Sequence, residues 1–306
     1  MSNSNLRILF FGTPDFAAES LQKLFDAEYT IVGVVTAPDK ASGRGMKIQS
    51  SAVKQIGQKL GLPIFQPTNL KSPEFIETVK NLNVDLGVVI AFRMLPEVVW
   101  NSPKLGTINL HGSLLPKYRG AAPIQHAIIQ GESITGLTVF FLRHEIDTGD
   151  ILMTEEILIG EMEDFGSLYN RMKIAGGNLI VKCVDAIFQK NYQLIPQHAA
   201  GEPTFAPKIT KEFCKLDLDK GCLVNFNKIR GLSPSPGAYV EVNNEIIKIF
   251  SVLISDVKSE STDPIQVIGK KVYLVCKDGC LEILSLQIAG KPRISGSDYV
   301  NGIKNR

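Results

Sequence analysis

Two polar side chains, Asn109 and His111, stand two positions apart at the end of an apolar run. In a β-strand such residues share one face, while Ile108 and Leu110 point to the other. Parallel strands buried on both faces are usually apolar throughout, and open α/β sheets bind ligands beyond the carboxyl ends of their strands. The pattern favours a binding site at this strand end, with a hydrogen-bonded pair inside the core as the alternative.

Asn109, His111 and a downstream carboxylate, Asp147, could together stabilise an oxyanion and move protons. A carboxamide always offers hydrogen-bond donors, and an imidazole donates when it carries a proton. Asp147 follows a second apolar run and precedes a glycine, so it could orient the imidazole or simply form a local turn. The Asp-Thr-Gly triplet also occurs in aspartic proteases, but those need two such loops and this chain has one.

Metal, dinucleotide and thiol chemistry are not predicted. The four histidines lack zinc-ligand spacing, and no H-E-x-x-H motif occurs. The first turn reads Gly12-Thr13-Pro14-Asp15 instead of G-x-G-x-x-G, and Gly43-Arg44-Gly45 is not a P-loop. The five cysteines form no C-x-x-C pair, which is typical of a reduced cytoplasmic protein.

The elements that must position these residues begin with a β-α-β unit. A strand at 6–11 is broken by Gly12-Thr13-Pro14, with Thr13 as N-cap and Pro14 at the first helical position. A helix at 15–27 and a strand at 31–35 follow. Further helices are predicted at 52–60, 73–80, 122–130 and 165–189, and further strands at 63–65, 85–91, 105–111, 136–143 and 150–158. The alternation predicts an α/β fold, with a Rossmann-like, mostly parallel sheet covered by helices on both faces.

The last third has a different pattern. Residues 191–208 carry Pro and Gly without clear periodicity and are predicted to link a catalytic domain, 1–190, to a second domain, 209–306. A helix near 219–230 is followed by short alternating strands near 238–243, 246–253, 265–268, 271–276 and 280–286. This count favours a small β-barrel of oligonucleotide-binding (OB-like) type.

A polar segment, Ala37–Ser51, is long for a strand-to-helix connection and carries Lys40, Arg44 and Lys47. It could contact an anionic partner or be a solvated surface loop. The net charge of the chain is +2. Residues 1–206 contain 18 basic and 20 acidic residues, and residues 207–306 contain 15 basic and 11 acidic residues. The last third is thus the better candidate for an anionic partner. No signal peptide or transmembrane segment is expected, and we expect a cytoplasmic monomer that binds no membrane.

These motifs resemble the folate-dependent formyltransferases. The resemblance rests on Asn109-x-His111, Ser113-Leu114-Leu115-Pro116, Tyr118-Arg119-Gly120 and Asp147. The opening 11–17, the loop 41–45 and the ending 284–291 are similar to the members that act on charged initiator tRNA. The resemblance spans nearly the whole chain. It implies formyl transfer from 10-formyltetrahydrofolate to the amino group of initiator methionyl-tRNA, with no metal and no covalent nucleophile.

The resemblance also implies roles for individual residues. Asn109, His111 and Asp147 would be catalytic, and Lys40, Arg44 and Lys47 would contact tRNA. The folate would bind against Ala91, Phe92, Met94 and Leu95 and against Ser113, Leu114, Leu115 and Pro116. Two other functions remain open: a folate enzyme acting on a small amine or on water, and a non-catalytic RNA-binding module.

Overall fold

The structure is a computed structural model that describes residues 6–42, 47–259, 261 and 263–304. It begins with β1 (Arg7–Gly12), α1 (Asp15–Asp26) and β2 (Thr30–Val35). There follow β3 (Lys40–Ser42), β4 (Lys47–Gln49), α2 (Ala52–Lys59), β5 (Ile64–Phe65), α3 (Pro73–Asn81), β6 (Leu86–Ile90), α4 (Glu97–Trp100), β7 (Thr107–His111), β8 (Arg119–Gly120), α5 (Pro123–Ile129), β9 (Ile134–Phe141), β10 (Ile151–Leu158) and α6 (Phe165–Phe188).

The remaining elements are strands of various lengths and two α-helices. They are β11 (Phe205–Ala206), α7 (Cys222–Gly231), β12 (Ala238–Val242), β13 (Glu245–Ser255), β14 (Ile265–Ile268), β15 (Lys271–Cys276), β16 (Gly279–Ile288), β17 (Ile294–Ser295) and α8 (Gly296–Lys304). Short 3₁₀ turns occupy Gln197–Ala199 and Glu212–Cys214. No helix in the described ranges combines the length and the apolar character needed to cross a membrane.

The central sheet confirms the predicted α/β class. Its described strands lie in the order β10-β9-β7-β6-β1-β2-β5. Parallel pairing joins β7, β6, β1, β2 and β5, so their carboxyl ends meet at one edge. β9 runs antiparallel to β7, with Phe140 opposite Asn109 and Thr138 opposite His111.

The two faces of β7 meet different helices. Phe11, Val89 and Asn109 lie side by side across three strands, and the first two pack in a buried cluster with residues of α3 and α4. Leu110 points to the other face, where α6 approaches so closely that a Cβ on Gly176 would lie 2.8 Å from the Leu110 side chain. Asn109 and His111 therefore face the α3 and α4 side.

Some local predictions are wrong. α1 begins at Asp15, and Pro14 is its N-cap without a side-chain cap, because the extended Pro14 offers its own carbonyl to Ala17 and Ala18. The loop predicted at 37–51 contains the antiparallel hairpin β3–β4. Its three-residue strands are too short for alternation to be recognised. The helices α4 and α8 were not predicted.

The chain divides into two compact units. Unit 1 comprises residues 1–120, 136–157 and 170–205, and unit 2 comprises 121–135, 158–169 and 206–306. In unit 2 the strands form an antiparallel half-barrel in the order β12-β13-β16-β15-β14, with β17 on β16.

The core of unit 2 joins residues that are far apart in the chain. α5 packs closely on α7, because a Cβ on Gly231 would lie 2.6 Å from the side chain of Ile129. Ile129 also packs against the buried cluster of the half-barrel, which includes Phe226 and Leu286. A helix from the first half of the sequence is therefore part of a fold completed by the last third.

Candidate active site

His111, the last residue of β7, is buried with both ring nitrogens near a polar group. Nε2 lies 2.9 Å from the carbonyl oxygen of Tyr118, and Nδ1 lies 3.8 Å from Oδ2 of Asp147. Because a carbonyl oxygen can only accept, the hydrogen bond to Tyr118 requires the proton on Nε2. In the neutral ring, Nδ1 then carries a lone pair and is the nitrogen that can take up a proton beside the carboxylate.

Asp147 reaches His111 by an indirect route. β9 is antiparallel to β7, so the loop after β9 starts at the amino end of β7, where Leu142 N donates to Thr107 O at 2.8 Å. The loop must fold back along β7 to bring Asp147 to its carboxyl end. There Oδ2 of Asp147 accepts a 2.9 Å hydrogen bond from the backbone of Gly120.

The backbone of this loop is closely constrained. Asp147 has a φ of 54°, in the left-handed region that few residues other than glycine adopt. A Cβ on Gly149 would collide with the carbonyl oxygen of Phe141, so only glycine fits there. The Asp-Thr-Gly sequence thus provides both the carboxylate and the tight turn that presents it.

Asn109 lies one strand position below His111 on the same face. Its backbone is paired on both sides, opposite Val89 and Phe140. Its side chain is half-buried and makes no hydrogen bond within the part of the chain that the structure describes. Both amide hydrogens are therefore available to a ligand above the sheet.

Gln197, which the sequence did not single out, joins the Asp147 loop to the segment predicted as a linker. It is 3% exposed, and its Nε2 donates to the carbonyls of Asp147 and Gly149 at 2.9 and 2.8 Å. Its Oε1 accepts from Nε and Nη2 of Arg119 at 3.1 and 2.6 Å. Ile195 also exchanges two backbone hydrogen bonds with Ile151, at 2.8 and 2.9 Å. This segment is therefore hydrogen-bonded to the strands and loops of unit 1.

The turn after β7 is largely internal. Thr138 Oγ1 donates to Ser113 O at 2.7 Å and accepts from Leu115 N at 3.0 Å. Leu115 is 4% exposed and packs with Phe140, and Pro116, joined to it by a cis peptide bond, is also buried. Of the four predicted folate residues here, Leu114 is the one that stays partly open.

The loop after β6 is more exposed. Arg93 fixes it by donating to the carbonyls of Pro67 and Thr68 and by lying 5.7 Å from the ring centre of Phe92. Met94 is 71% exposed. The accessibility of the other three predicted residues differs: Ala91 is exposed, Phe92 half-buried and Leu95 buried. This loop follows the strand beside β7, so it borders the carboxyl end where His111 lies.

The hairpin β3–β4 is fixed at its base. Asp39 accepts from Lys54 and Gln66, and Gln66 also donates to Ala37 O at 2.8 Å. The hydrogen bond from Lys54 lowers the pKa of Asp39, so its charge stays paired. Lys40 is exposed, Lys47 lies in β4, and Arg44 falls outside the described residues.

The cysteine thiols lie in the interior of the fold. All five cysteines are buried, and burial raises the pKa of Cys183 to about 12 and that of Cys276 to about 11. Such thiols are poor nucleophiles at neutral pH. The same ranges contain no group of three or more metal-ligating side chains close enough to hold an ion.

Comparison with known families gives matches over most of the chain. The model described as "Formyl transferase" matches residues 6–184, and that described as "Formyl transferase, C-terminal domain" matches residues 208–304. A methionyl-tRNA formyltransferase from Bacteroides fragilis is 45% identical, covering 99% of this chain and 96% of that protein. One from Porphyromonas gingivalis is 41% identical, covering 99% and 97%.

Solved structures share the fold at lower identity. HypX from Aquifex aeolicus in complex with tetrahydrofolic acid matches with a TM-score of 0.66 at 18% identity, covering 98% of this chain and 47% of that one. The chain therefore spans about half the length of HypX. The sugar 3N-formyl transferase WlaRD, in the presence of dTDP and 5-N-formyl-THF, matches with a TM-score of 0.68 at 18% identity, covering 94% and 99%.

Proposed function

Because the chain belongs to the methionyl-tRNA formyltransferase family, we propose that it transfers a formyl group from 10-formyltetrahydrofolate to the amino group of initiator methionyl-tRNA. The observation that carries the proposal is the arrangement at the end of β7. There the carboxamide of Asn109, which has no hydrogen-bond partner among the described residues, lies on the same sheet face as the buried imidazole of His111. The Asp147 carboxylate lies 3.8 Å from Nδ1 of that imidazole. Acyl transfer to an amine needs these groups: an oxyanion donor and a proton carrier.

The donor carries its formyl carbon on N10. The nitrogen of the acceptor amine first bonds to this carbon, and the bond between the carbon and N10 then breaks. The Asn109 amide donates to the oxyanion that develops on the formyl oxygen. A preformed donor in a half-buried position costs little reorganisation. The residues present therefore fit a formyl donor at this strand end.

His111 moves the proton. With its Nε2 hydrogen committed to the carbonyl of Tyr118, the ring accepts a proton from the attacking amine at Nδ1. The imidazolium formed there faces the Asp147 carboxylate, which stabilises its charge. The same proton is then delivered to the departing N10, so the residue ends the cycle neutral and ready for the next amine.

The folate is proposed to bind between the loop after β6 and the turn after β7. Ala91, Phe92 and Met94 offer accessible surface, and Leu114 the partly open edge of the turn. The buried residues would act differently: Leu95, Ser113, Leu115 and Pro116 fix the backbone that shapes the slot. The support for this division is their burial, together with the hydrogen bonds that Ser113 Oγ donates to Lys117 O within the turn and Leu115 N donates to Thr138 Oγ1 of β9.

The tRNA is proposed to meet two basic surfaces. Lys40, Arg44 and Lys47 would contact the acceptor end, and the hydrogen bonds at the base of the hairpin β3–β4 support a defined orientation for Lys40. An arginine between glycines suits phosphates and base edges, because its planar fork can donate two parallel hydrogen bonds. The half-barrel in unit 2 would add sequence-independent attraction through the net positive charge of residues 207–306.

Formyl transfer to three acceptors tests the function: initiator methionyl-tRNA, free methionine and water. We expect product only with the charged tRNA. Transfer to free methionine at a similar rate, or hydrolysis of the donor, would indicate a small-amine enzyme or a hydrolase. Binding of tRNA without transfer would indicate an RNA-binding module.

Variants of the site connect the activity to its residues. Asn109→Ala should lower kcat by roughly 10²–10³-fold, as expected for the loss of one oxyanion donor. His111→Ala should lower it by roughly 10²–10⁴-fold, as expected for a lost proton carrier. Asn81→Ala is the matched control, because Asn81 is exposed at the end of α3. Wild-type turnover in both site variants would refute the assignment.

A further inference from the structure

Gln197 uses its whole carboxamide to connect two parts of the catalytic unit. Both Nε2 hydrogens go to the backbone carbonyls of Asp147 and Gly149, and Oε1 receives two hydrogen bonds from Arg119. The side chain is almost fully buried. A buried amide with every hydrogen bond satisfied fixes the groups around it, and each lost partner would leave a buried polar atom unpaired.

These contacts add to the constraints within the Asp147 loop, among them the hydrogen bond from Thr148 Oγ1 to Glu145 O at 3.0 Å and the ion pair between Arg143 and Asp150. The loop must fold back along β7, and its neighbours Arg143, Glu145 and Ile146 are exposed. The carboxylate of Asp147 has one hydrogen bond from a backbone amide, that of Gly120. Gln197 holds the main chain on both sides of Thr148 through its hydrogen bonds to the carbonyls of Asp147 and Gly149. Gln197 therefore sets the direction in which the Asp147 carboxylate points.

Arg119 extends the connection to the other side of the imidazole. It directly follows Tyr118, whose carbonyl accepts from Nε2 of His111. Tyr118 has a left-handed φ of 59°, and its backbone N–H donates to Thr204 Oγ1 at 2.9 Å. The group that holds Nε2 and the loop that carries the carboxylate beside Nδ1 are thus joined through two side chains in contact, those of Arg119 and Gln197.

We propose that Gln197 is a positioning residue for the reaction, and that it holds the Asp147 loop and the Tyr118 turn in register around His111. It acts through Asp147 and does not touch the reactants. The kinetic part of this proposal rests on the proposed function. The structural part, the order of residues 143–150, can be measured without any turnover.

The test compares Gln197→Leu with a matched control, Gln287→Leu. Leucine keeps most of the side-chain volume and removes all four hydrogen bonds. Gln287 also fixes a loop carbonyl, that of Lys291 at 2.7 Å, but lies in unit 2. We expect Gln197→Leu to lower kcat about ten- to thirtyfold, with the KM for the folate donor nearly unchanged. Amide deuterium exchange should rise in 143–150 for Gln197→Leu and stay at the wild-type level for Gln287→Leu.

A double-mutant cycle with Asp147→Asn separates positioning from general damage. If Gln197 acts through Asp147, Gln197→Leu should change kcat less than about twofold in the Asp147→Asn background. Independent, multiplicative losses would overturn the proposal, as would unchanged exchange in 143–150. Should Gln197→Leu not fold, Arg119→Leu removes one side of the connection and should give a smaller rise in the same peptide. If the wild-type protein shows no transfer, the proposed function fails, while the exchange result still decides the structural part.

Discussion

Asp147→Asn isolates the contribution of one negative charge to catalysis. The asparagine oxygen can still accept the backbone hydrogen bond from Gly120, so the loop geometry is kept. At 3.8 Å, a unit charge pair is worth about 1 kcal/mol in water and about 4 kcal/mol at an effective dielectric constant of 20. The Asp147 and His111 side chains are 14% and 7% exposed, which favours the upper part of this range. Since the charge acts only once the imidazolium forms, we expect kcat to fall by about 6- to 10³-fold.

Single-turnover formylation of methionyl-tRNA at saturating donor measures this step apart from binding and product release. Asp85→Asn is the control, because Asp85 is a comparably buried carboxylate, 19% exposed, that accepts a backbone hydrogen bond from Arg7 at 3.0 Å. It lies before β6, at the opposite edge of the sheet. A loss of less than about threefold in Asp147→Asn would show that the charge does not stabilise the imidazolium and that the carboxylate serves only as a hydrogen-bond acceptor.

Three further predictions concern the folate slot, the tRNA surface and stability. Met94→Glu should weaken tetrahydrofolate binding in calorimetry, and it should not lower stability because Met94 is 71% exposed. The control Met162→Glu, at a position that is 56% exposed, should leave the folate affinity unchanged. Equal affinities in the two variants would mean that the folate binds elsewhere. Lys40→Gln should make the slope of log tRNA affinity against log salt concentration less steep by about 1, because one phosphate contact is lost. The exposed control Lys59→Gln should leave the slope unchanged. Identical slopes in both variants would show that Lys40 does not contact the tRNA. Burial lowers the pKa of His126 below its ordinary value of 6.5. As the pH falls, His126 is therefore protonated in the unfolded state before it is protonated in the folded state. The stability that the neutral residue contributes above pH 6.5 is lost as the pH falls toward its pKa in the folded state. The free energy of unfolding in urea should therefore fall less between pH 7 and pH 5 in His126→Gln than in the wild type, and parallel losses would contradict this.

The sequence was most informative where a residue type conflicts with its surroundings. Asn109 and His111 are polar in a strand that is otherwise apolar, and the strand period placed them on one face before any coordinates were known. The parallel sheet followed from helices alternating with apolar strands. Lys40–Ser42 and Lys47–Gln49 were missed as strands because three residues carry too little pattern.

The rest of the site depends on contacts that residue types do not reveal. The group that holds Nε2 of His111 is the main-chain carbonyl of Tyr118, which any residue would provide. Gln197 lies in a stretch rich in Pro and Gly, where composition predicts a linker, and its burial comes from tertiary packing against the Asp147 loop. That Asp147 approaches His111 from the far end of β7 follows from the antiparallel register of β9, and the predicted, mostly parallel sheet did not specify which strand would be antiparallel.

The division of the fold into interleaved units affects how the chain is made. α5 leaves the ribosome about 100 residues before α7, the helix on which Ile129 packs. At about 5–20 residues per second, its apolar side waits on the order of 5–20 seconds for that partner. Unit 2 therefore cannot complete its core before α7 and the strands that follow it have been synthesised. During that interval Ile129 lacks the apolar surface of α7 and of the half-barrel that it contacts in the folded unit.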